Sequence, residues 1–470
     1  MKTIFKSLIA LLAITVLVGQ VSAAEWSTEV VDQGEWVGWS TSIAVDSDSV
    51  HISYYDITNE DLKYARWSGS EWSIRTVDSQ ANVGADTSIA IDSSDNPHIS
   101  YYNASSQNLK YARWSGSEWD TQTIDSGGEV GSSSSIAIDS EDHPHICYRD
   151  IANKDLKYAK WSGSQWTVQT VDSQGDVGKY ITSIATDPEG NPHISYYDAT
   201  NKNLKYASLS DNEWDTQTVD SSGNVGVGNS MDLDQSGNPH ISYYDATNEN
   251  LKYASLSGGG WSTQTVDSKG NVGVGTSMAI DPSDNAHIGY FDGSNKNLKY
   301  AVQSGSQWST ETVDSGESVG QFPSLALSSE YVHMSYHDTT KEALKYARAP
   351  ISVNETPQPT ATATATATAT PESTAEPGTT TSPSGTGTET KTTTAEPSGT
   401  EEQEPEETPT RITTTMPIKH VNTPSVIDKT KTPAPETTET EPATSIPGFE
   451  TLLVVTSLIV GTYLVRRNQL

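Results

Sequence analysis

The chain has one cysteine in 470 residues, Cys147, so no disulfide can close within it. Cys147 takes the place of a repeated serine and reads as a small buried residue. Positive charge is also scarce: 28 Lys and Arg stand against 61 Asp and Glu, a net charge of -33. That balance argues against nucleic acid as a partner and suits a hydrated surface protein. A salty habitat would favour such acidity, although seven regularly spaced lysines, from Lys63 to Lys345, fit an extreme halophile poorly. No Gly-x-Ser-x-Gly elbow, Gly-rich phosphate loop or Cys/His cluster occurs, so the best-marked hydrolase, nucleotide and zinc chemistries find no support. Nor does any part of residues 25–350 hold a helical period.

What fills that region is a repeat of about 47 residues, a period that marks solenoids and propellers. Its fullest copy runs from Asn191 to Ala207, with His-Ile-Ser-Tyr-Tyr, a turn rich in Asp, Asn and Thr, then Leu-Lys-Tyr-Ala. The alternation and the turn chemistry predict a β-hairpin. The histidine recurs at His51, His98, His145, His193, His240, His287 and His333. Before each hairpin lie a tryptophan-led strand such as Trp166–Asp172, a Val-Gly bend at Val177-Gly178, and a short apolar strand, Ser183–Asp187. Four short strands per unit is the pattern of a propeller blade.

The phase of the repeat predicts how the ring closes. The first tryptophan strand, Trp26–Asp32, precedes any hairpin, and the last hairpin, ending at Ala347, has no such strand after it. The expected fold is therefore all-β: a seven-bladed β-propeller closed by an N-terminal strand, which leaves no open sheet edge. A disordered stalk and a short C-terminal hydrophobic helix are expected to follow.

The repeat resembles the sequence-repeat propellers of secreted prokaryotic proteins, grouped with sialidase-like folds. That resemblance covers residues 25–350 and implies a fold rather than an activity. Sialidases bind a carboxylate with three clustered arginines. The arginines here are Arg66, Arg75, Arg113, Arg149 and Arg348, and Arg66 and Arg113 share a repeat position with Lys160. The Ser-x-Asp-x-Gly-x-x-Trp box of that superfamily is absent, so sialidase activity is not expected.

The repeated polar residues read as structural. One histidine per blade spreads them around the ring, whereas zinc needs three or four ligands together, so a hydrogen bond to a neighbouring Ser or Asp is expected. The aspartates ending the tryptophan strands, and those of Tyr-Tyr-Asp (Asn103 in one blade), should cap their own turns. No catalytic residue and no metal ligand is assigned. Calcium is the one cofactor left open, because the Asp-x-x-Gly-Asn turns offer oxygens without the spacing of a known calcium loop.

Candidate site residues are those that break the repeat. After the Val-Gly bend the blades diverge, at Trp39, Ala85-Asp86, Ser132-Ser133, Lys179-Tyr180, Val227, Val274 and Gln321-Phe322. Read as the connection from one blade's outer strand to the next blade's inner strand, these positions surround the channel mouth. Arg149 replaces the hairpin's second tyrosine beside the same face. Trp39, Asp86, Arg149, Lys179, Tyr180, Gln321 and Phe322 are the expected ligand-binding set, since aromatic rings with a few charges suit a glycan or peptide. The bland alternative is ordinary loop variation.

The flanks differ in kind. Residues 1–23 read as an export signal: Lys2 and Lys6, an apolar core from Ser7 to Gly19, then Val21-Ser22-Ala23. The propeller occupies 24–350. Residues 351–446 are rich in Thr, Pro, Glu and Ser, too polar to offset ordering entropy, and read as a glycosylatable stalk. Sequons lie at Asn103 and Asn354. In residues 447–470, Pro447-Gly448-Phe449 precedes an apolar run from Thr451 to Val465 and then Arg466-Arg467. This resembles the PGF-type sorting signal of archaeal surface proteins. The resemblance implies cleavage by an archaeosortase-type enzyme and attachment to a membrane lipid. The run, about 23 Å as a helix, is short for a permanent span, and its basic end would stay cytoplasmic. The expected protein is secreted and anchored at the cell surface, with an extracellular glycan or protein as ligand. An extracellular glycoside hydrolase or lyase and a structural envelope component are the other readings.

Overall fold

The structure, a computed structural model, describes residues 25–351. The expected export signal, stalk, sorting signal, C-terminal helix and the Asn354 sequon lie outside the described residues. Among the described residues, twenty-eight strands, numbered β1 to β28 in order, form seven four-stranded antiparallel sheets. Blade 1 is β2 (Val37–Val45), β3 (Val50–Asp56), β4 (Asp61–Trp67) and β5 (Trp72–Asp78), from channel to rim. Blades 2 to 6 repeat this order. Blade 7 has β26 (Val319–Leu327), β27 (Tyr331–Asp338) and β28 (Ala343–Pro350), and its fourth strand is β1 (Ser27–Gln33). β1 pairs with β28 from Ser27–Arg348 to Gln33–Ala343. The N-terminal strand therefore closes the ring, as the phase of the repeat predicts.

The second strand of each blade is buried on both faces because each blade packs between two others. One core cluster joins Leu62, Tyr64 and Val77 of blade 1 to Val83, Ile89, Ile99 and Tyr101 of blade 2, and the same set recurs around the ring. At the rim, each blade's leading tryptophan lies edge-on against a tyrosine of the preceding blade, as Trp166 does on Tyr111 at 5.1 Å. Trp26 makes this contact on Tyr300, so the closing strand also grips blade 6.

That tyrosine connects to the repeated histidine. In blade 3 the Tyr158 hydroxyl lies 2.7 Å from His145 Nδ1, and His145 Nε2 lies 3.0 Å from Asp139 Oδ2. A neutral imidazole satisfies both contacts, accepting at Nδ1 and donating at Nε2. The histidines are structural, as expected, with the Asp just past the inner strand as partner and Ser328 in blade 7. Those same aspartates belong to the turns considered for calcium. Asp92 accepts from Asn96 N–H and Ser94 N–H, and Asp187 from Asn191. Among the described residues no three acidic or histidine side chains at these turns are placed to hold a metal ion together, so side chains do not assemble the oxygen cage of a calcium loop there.

The sequence reading missed one role of the aspartates that end the outer strands. Asp78 Oδ1 caps its own turn at Gln80 N–H. Its Oδ2 reaches into the next blade, accepting from the Tyr101 hydroxyl at 2.7 Å and from the Lys110 ammonium. All seven blades repeat this bridge, from Lys63 with Asp32 to Lys345 with Asp314. The regular lysines are thus partners of particular carboxylates rather than scattered surface charge.

Candidate functional site

The variable positions are not in connecting loops. Each inner strand begins at the Val-Gly pair, so β2 includes Trp39, and the fourth inner strand spans Val177–Thr186 rather than 183–187. A bulge explains the difference. In β2 pairing breaks between Trp39 and Ser42, the step that hides a strand from a pattern search. The glycine is dictated by packing: at Gly131 (φ 103°) a Cβ would stand 2.5 Å from the Leu109 Cα of the preceding blade.

The bulge sets one residue of each blade in left-handed backbone: Ser40 (φ 48°), Asp86 (51°), Ser133 (54°), Tyr180 (76°), Gly228 (60°), Gly275 (66°) and Phe322 (51°). Two blades meet the requirement with glycine. The other five carry side chains there, at roughly 1 kcal/mol each. All of them except Gly228 line one cavity of about 390 Å³ at the channel mouth, with Trp39, Gln321 and Ile181. Costly backbone gathered around one cavity is a mark of ligand sites.

Below the bulge run two polar rings. In the first, a hydroxyl or amide of each inner strand meets a side chain of the preceding blade: Thr87 donates to Ser53 at 2.9 Å, and Ser195 to Asn229 Oδ1 at 2.6 Å. Cys147 belongs to this ring, 3.1 Å from Thr182, and burial pushes its thiol up to about 12. Between blades 6 and 7 both partners change together, to Gly289 and Pro323, so no polar group is stranded. The second ring is complete. Ser42, Ser88, Ser135, Ser183, Ser230, Ser277 and Ser324 each accept the backbone N–H of Ile89, Ile136, Ile184, Met231, Met278, Leu325 and Ile43 respectively. All seven serines line the cavity.

Of the expected ligand set, the cavity gathers Trp39, Asp86, Tyr180, Gln321 and Phe322. Lys179 does not line it; its Nζ sits 5.1 Å over the Tyr180 ring. Nor does Arg149, which is buried and donates to Asp176 at 2.7 Å. Where other blades pair a tyrosine with asparagine, as Tyr197 with Asn224, blade 3 pairs arginine with aspartate. Asn103 is buried too: its Oδ1 caps the turn at Ser105 and Ser106, the part aspartate plays in other blades.

Among the described residues, Asp86 is the only charged one on the cavity wall. It is half-buried, and its depth in the channel raises its carboxyl above the usual range, against the Ser133 N–H that Oδ2 accepts at 2.8 Å. Trp39 is buried among Phe322 (ring centroids 5.0 Å), His337 (5.4 Å) and Trp36 (6.2 Å), and its indole N–H has no acceptor among the described residues. His337 sends Nδ1 to the Val37 carbonyl at 3.0 Å, and burial holds it neutral, near 4. None of the ring's arginines lines the cavity, so a carboxylate-binding arginine cluster is not assembled there by the described residues.

One inner-strand feature escaped the sequence reading. Asp232 replaces the alanine found at this place in the other six blades, such as Ala44 and Ala279. Its oxygens accept Leu233 N–H and Ile280 N–H, both at 2.8 Å, and burial pushes it up to about 6. The signal was available, since Met231-Asp-Leu breaks the Ile-Ala pattern.

No known family profile and no curated protein matches the chain. Among solved structures it is similar to the fucose-specific lectin from Aleuria aurantia, with 17% identity over 60% of this chain and 98% of that one, TM-score 0.44. AofleA from Arthrobotrys oligospora gives 12% identity over 63% and 91%, TM-score 0.44. The phage phi92 endosialidase gives 9% over 71% and 70%, TM-score 0.43. Likenesses this loose assign no function, and the site is read from its own geometry.

Proposed function

We propose that the propeller is the binding head of a cell-surface protein and takes an extracellular glycan or protein at the channel mouth. One observation carries this: five of seven equivalent left-handed positions hold side chains instead of glycine, and all five line one cavity. The hairpin turns also hold side chains in left-handed backbone, as at Glu60 and Lys202, but only the bulge positions turn theirs toward one cavity. The cavity lies in the range of small-ligand sites and mixes aromatic with polar wall. Display at the surface is supported by the sequence at both ends: an export signal before the ring, and after it a Thr/Pro-rich segment leading to Pro447-Gly448-Phe449. In this reading an archaeosortase-type enzyme processes the C-terminus and leaves the protein anchored to the membrane. The hydrolase alternative is weaker, because the cavity wall supplies one carboxylate, Asp86, where the common glycosidase mechanisms use two.

The test is a glycan and envelope-protein binding screen with the purified full-length chain, repeated with Trp39→Ala and Tyr180→Ala. Loss of binding by Tyr180→Ala with unchanged melting, and by Trp39→Ala at a temperature where that variant stays folded, supports the site. Ligands bound equally well by both variants would place the binding face elsewhere on the ring.

A further inference from the structure

We infer that the channel mouth takes a neutral sugar unit, seated against Trp39 and Phe322, with Asp86 one blade further round. This rests on the binding reading above and narrows it to a ligand class.

Charge excludes one half of the candidates. Among the described residues no Lys, Arg or His side chain lines the cavity, and the one acidic group there, Asp86, would repel an anion wherever it is ionised. Uronates, sialosides and phosphorylated ligands therefore lack a counter-charge. The polar groups that do line the wall suit hydroxyls. Each of the seven ring serines accepts a backbone N–H, which leaves its own hydroxyl hydrogen for donation. One Asp86 oxygen accepts from Ser133, and no donor among the described residues meets the other. Donors and acceptors are thus interleaved around rings that offer an apolar face, the combination a pyranose presents in complement.

Trp39 adds an independent sign. It is 7% exposed, lines the cavity and has an unpaired indole N–H. Elsewhere the protein provides for this group: six of the seven rim tryptophans donate to a Glu or Gln of the neighbouring blade. A ligand oxygen would supply the missing acceptor. The N–H is closed to solvent in a cage of the Phe322, His337 and Trp36 rings, so a ligand oxygen reaches it only when a side chain of that cage shifts. Phe322 holds the left-handed position that Gly228 and Gly275 occupy in blades 5 and 6, so its ring is not needed to form the bulge.

The experiment titrates the full-length chain with methyl glucoside, galactoside, mannoside and fucoside, and with a glucuronide and a sialoside, up to tens of millimolar. A polypeptide panel of envelope proteins runs in parallel. The expected result is binding to at least one neutral glycoside and at least tenfold weaker binding to both acidic ones. Trp39→Phe, which keeps a ring and removes the N–H, should weaken the neutral sugar about tenfold, the loss of one hydrogen bond. Its melting temperature will fall by the packing lost with the larger ring, so affinity is measured at a temperature where the variant stays folded. A tryptophan with only a packing role would lower the melting point and leave the affinity unchanged, so the affinity is the deciding readout. Acidic sugars binding as well as neutral ones, unchanged affinity in Trp39→Phe, or no sugar binding at all would overturn the inference. Polypeptide binding at the mouth without sugar binding would sink the sugar while leaving the binding head standing.

Discussion

Replacing Arg75 with glutamine should make the protein more stable. At the rim, six leading tryptophans donate their indole N–H to the preceding blade, at Glu311, Glu29, Gln122, Gln169, Gln217 and Gln264, over 2.8 to 3.3 Å. The seventh, Trp119, packs on Tyr64 like the others, yet its N–H is buried and unpaired. The residue at the acceptor's place is Arg75, which has no lone pair to offer and lies instead 4.9 Å over Trp114. A buried unpaired donor costs about 1 to 3 kcal/mol, and an exposed cation–π contact contributes about 0.5 to 1. Arg75→Gln exchanges the second for relief of the first, a net gain of about 1 kcal/mol. At about 2.1 cal/mol/K of unfolding entropy per residue, a ring of roughly 330 residues changes by about 0.7 kcal/mol per degree, so Tm should rise by about 1 to 2 °C. Calorimetry with Arg75→Met separates the causes, since methionine removes the same charge and supplies no comparable acceptor. Gln122→Arg should do the reverse at Trp166. If Arg75→Gln melts no higher than Arg75→Met, the missing acceptor is not what Trp119 lacks, and the reasoning fails.

Further outcomes can be checked on the same instrument. Deleting residues 25–34 should lower Tm for the whole ring, because it removes the fourth strand of blade 7 and the Trp26 contact on blade 6; an unchanged melting curve would refute the clasp. Lys110→Met leaves the buried Asp78 carboxylate without its cation and should cost about 3 to 5 kcal/mol by urea titration, against less than 1 for an exposed lysine such as Lys269. Acid should act in two windows. Burial holds His145 and His333 near 4, so the unfolded chain takes up protons first, and stability falls as pH drops from about 6.5 to 4, by roughly 3 kcal/mol for each such histidine. For Asp92 and Asp139, burial is outweighed by hydrogen bonds from Asn96 and His145 respectively, holding both near 2, and a second loss follows below about 3.8. A flat Tm between pH 7 and 4 would contradict the neutral histidines.

The fold was legible because it is written seven times. Blade number, strand order and the closing strand all follow from where Trp26 and Ala347 fall in the repeat. The structural reading of the histidines came from their even spacing, which holds metal ligands apart. What stayed hidden depends on pairs distant in sequence. Nothing local says that Lys110 belongs with Asp78 or that Arg75 faces Trp119, since those contacts cross from one blade to the next. The bulge is the other blind spot: two unpaired residues interrupt the alternation, so Trp39 and Phe322 looked like loop residues although they lie within strands. Five of the seven expected site residues reach the cavity because they were sought as departures from the repeat. Arg149 departs as clearly, but its change is matched by Asp176 and consumed there.

The closing strand also decides how the ring would bear a pull. A protein held through residues beyond 351 receives tension at the Pro350 end of β28. Without β1, that strand would be an outer edge, attached through a single ladder. With β1 in place it has partners on both sides, β27 and β1. Drawn along its own axis, it must slide past two neighbours at once, and their hydrogen bonds resist in parallel rather than in sequence. Under such a pull, the ten or so residues at the start of the ring would double the number of ladders that hold its last strand.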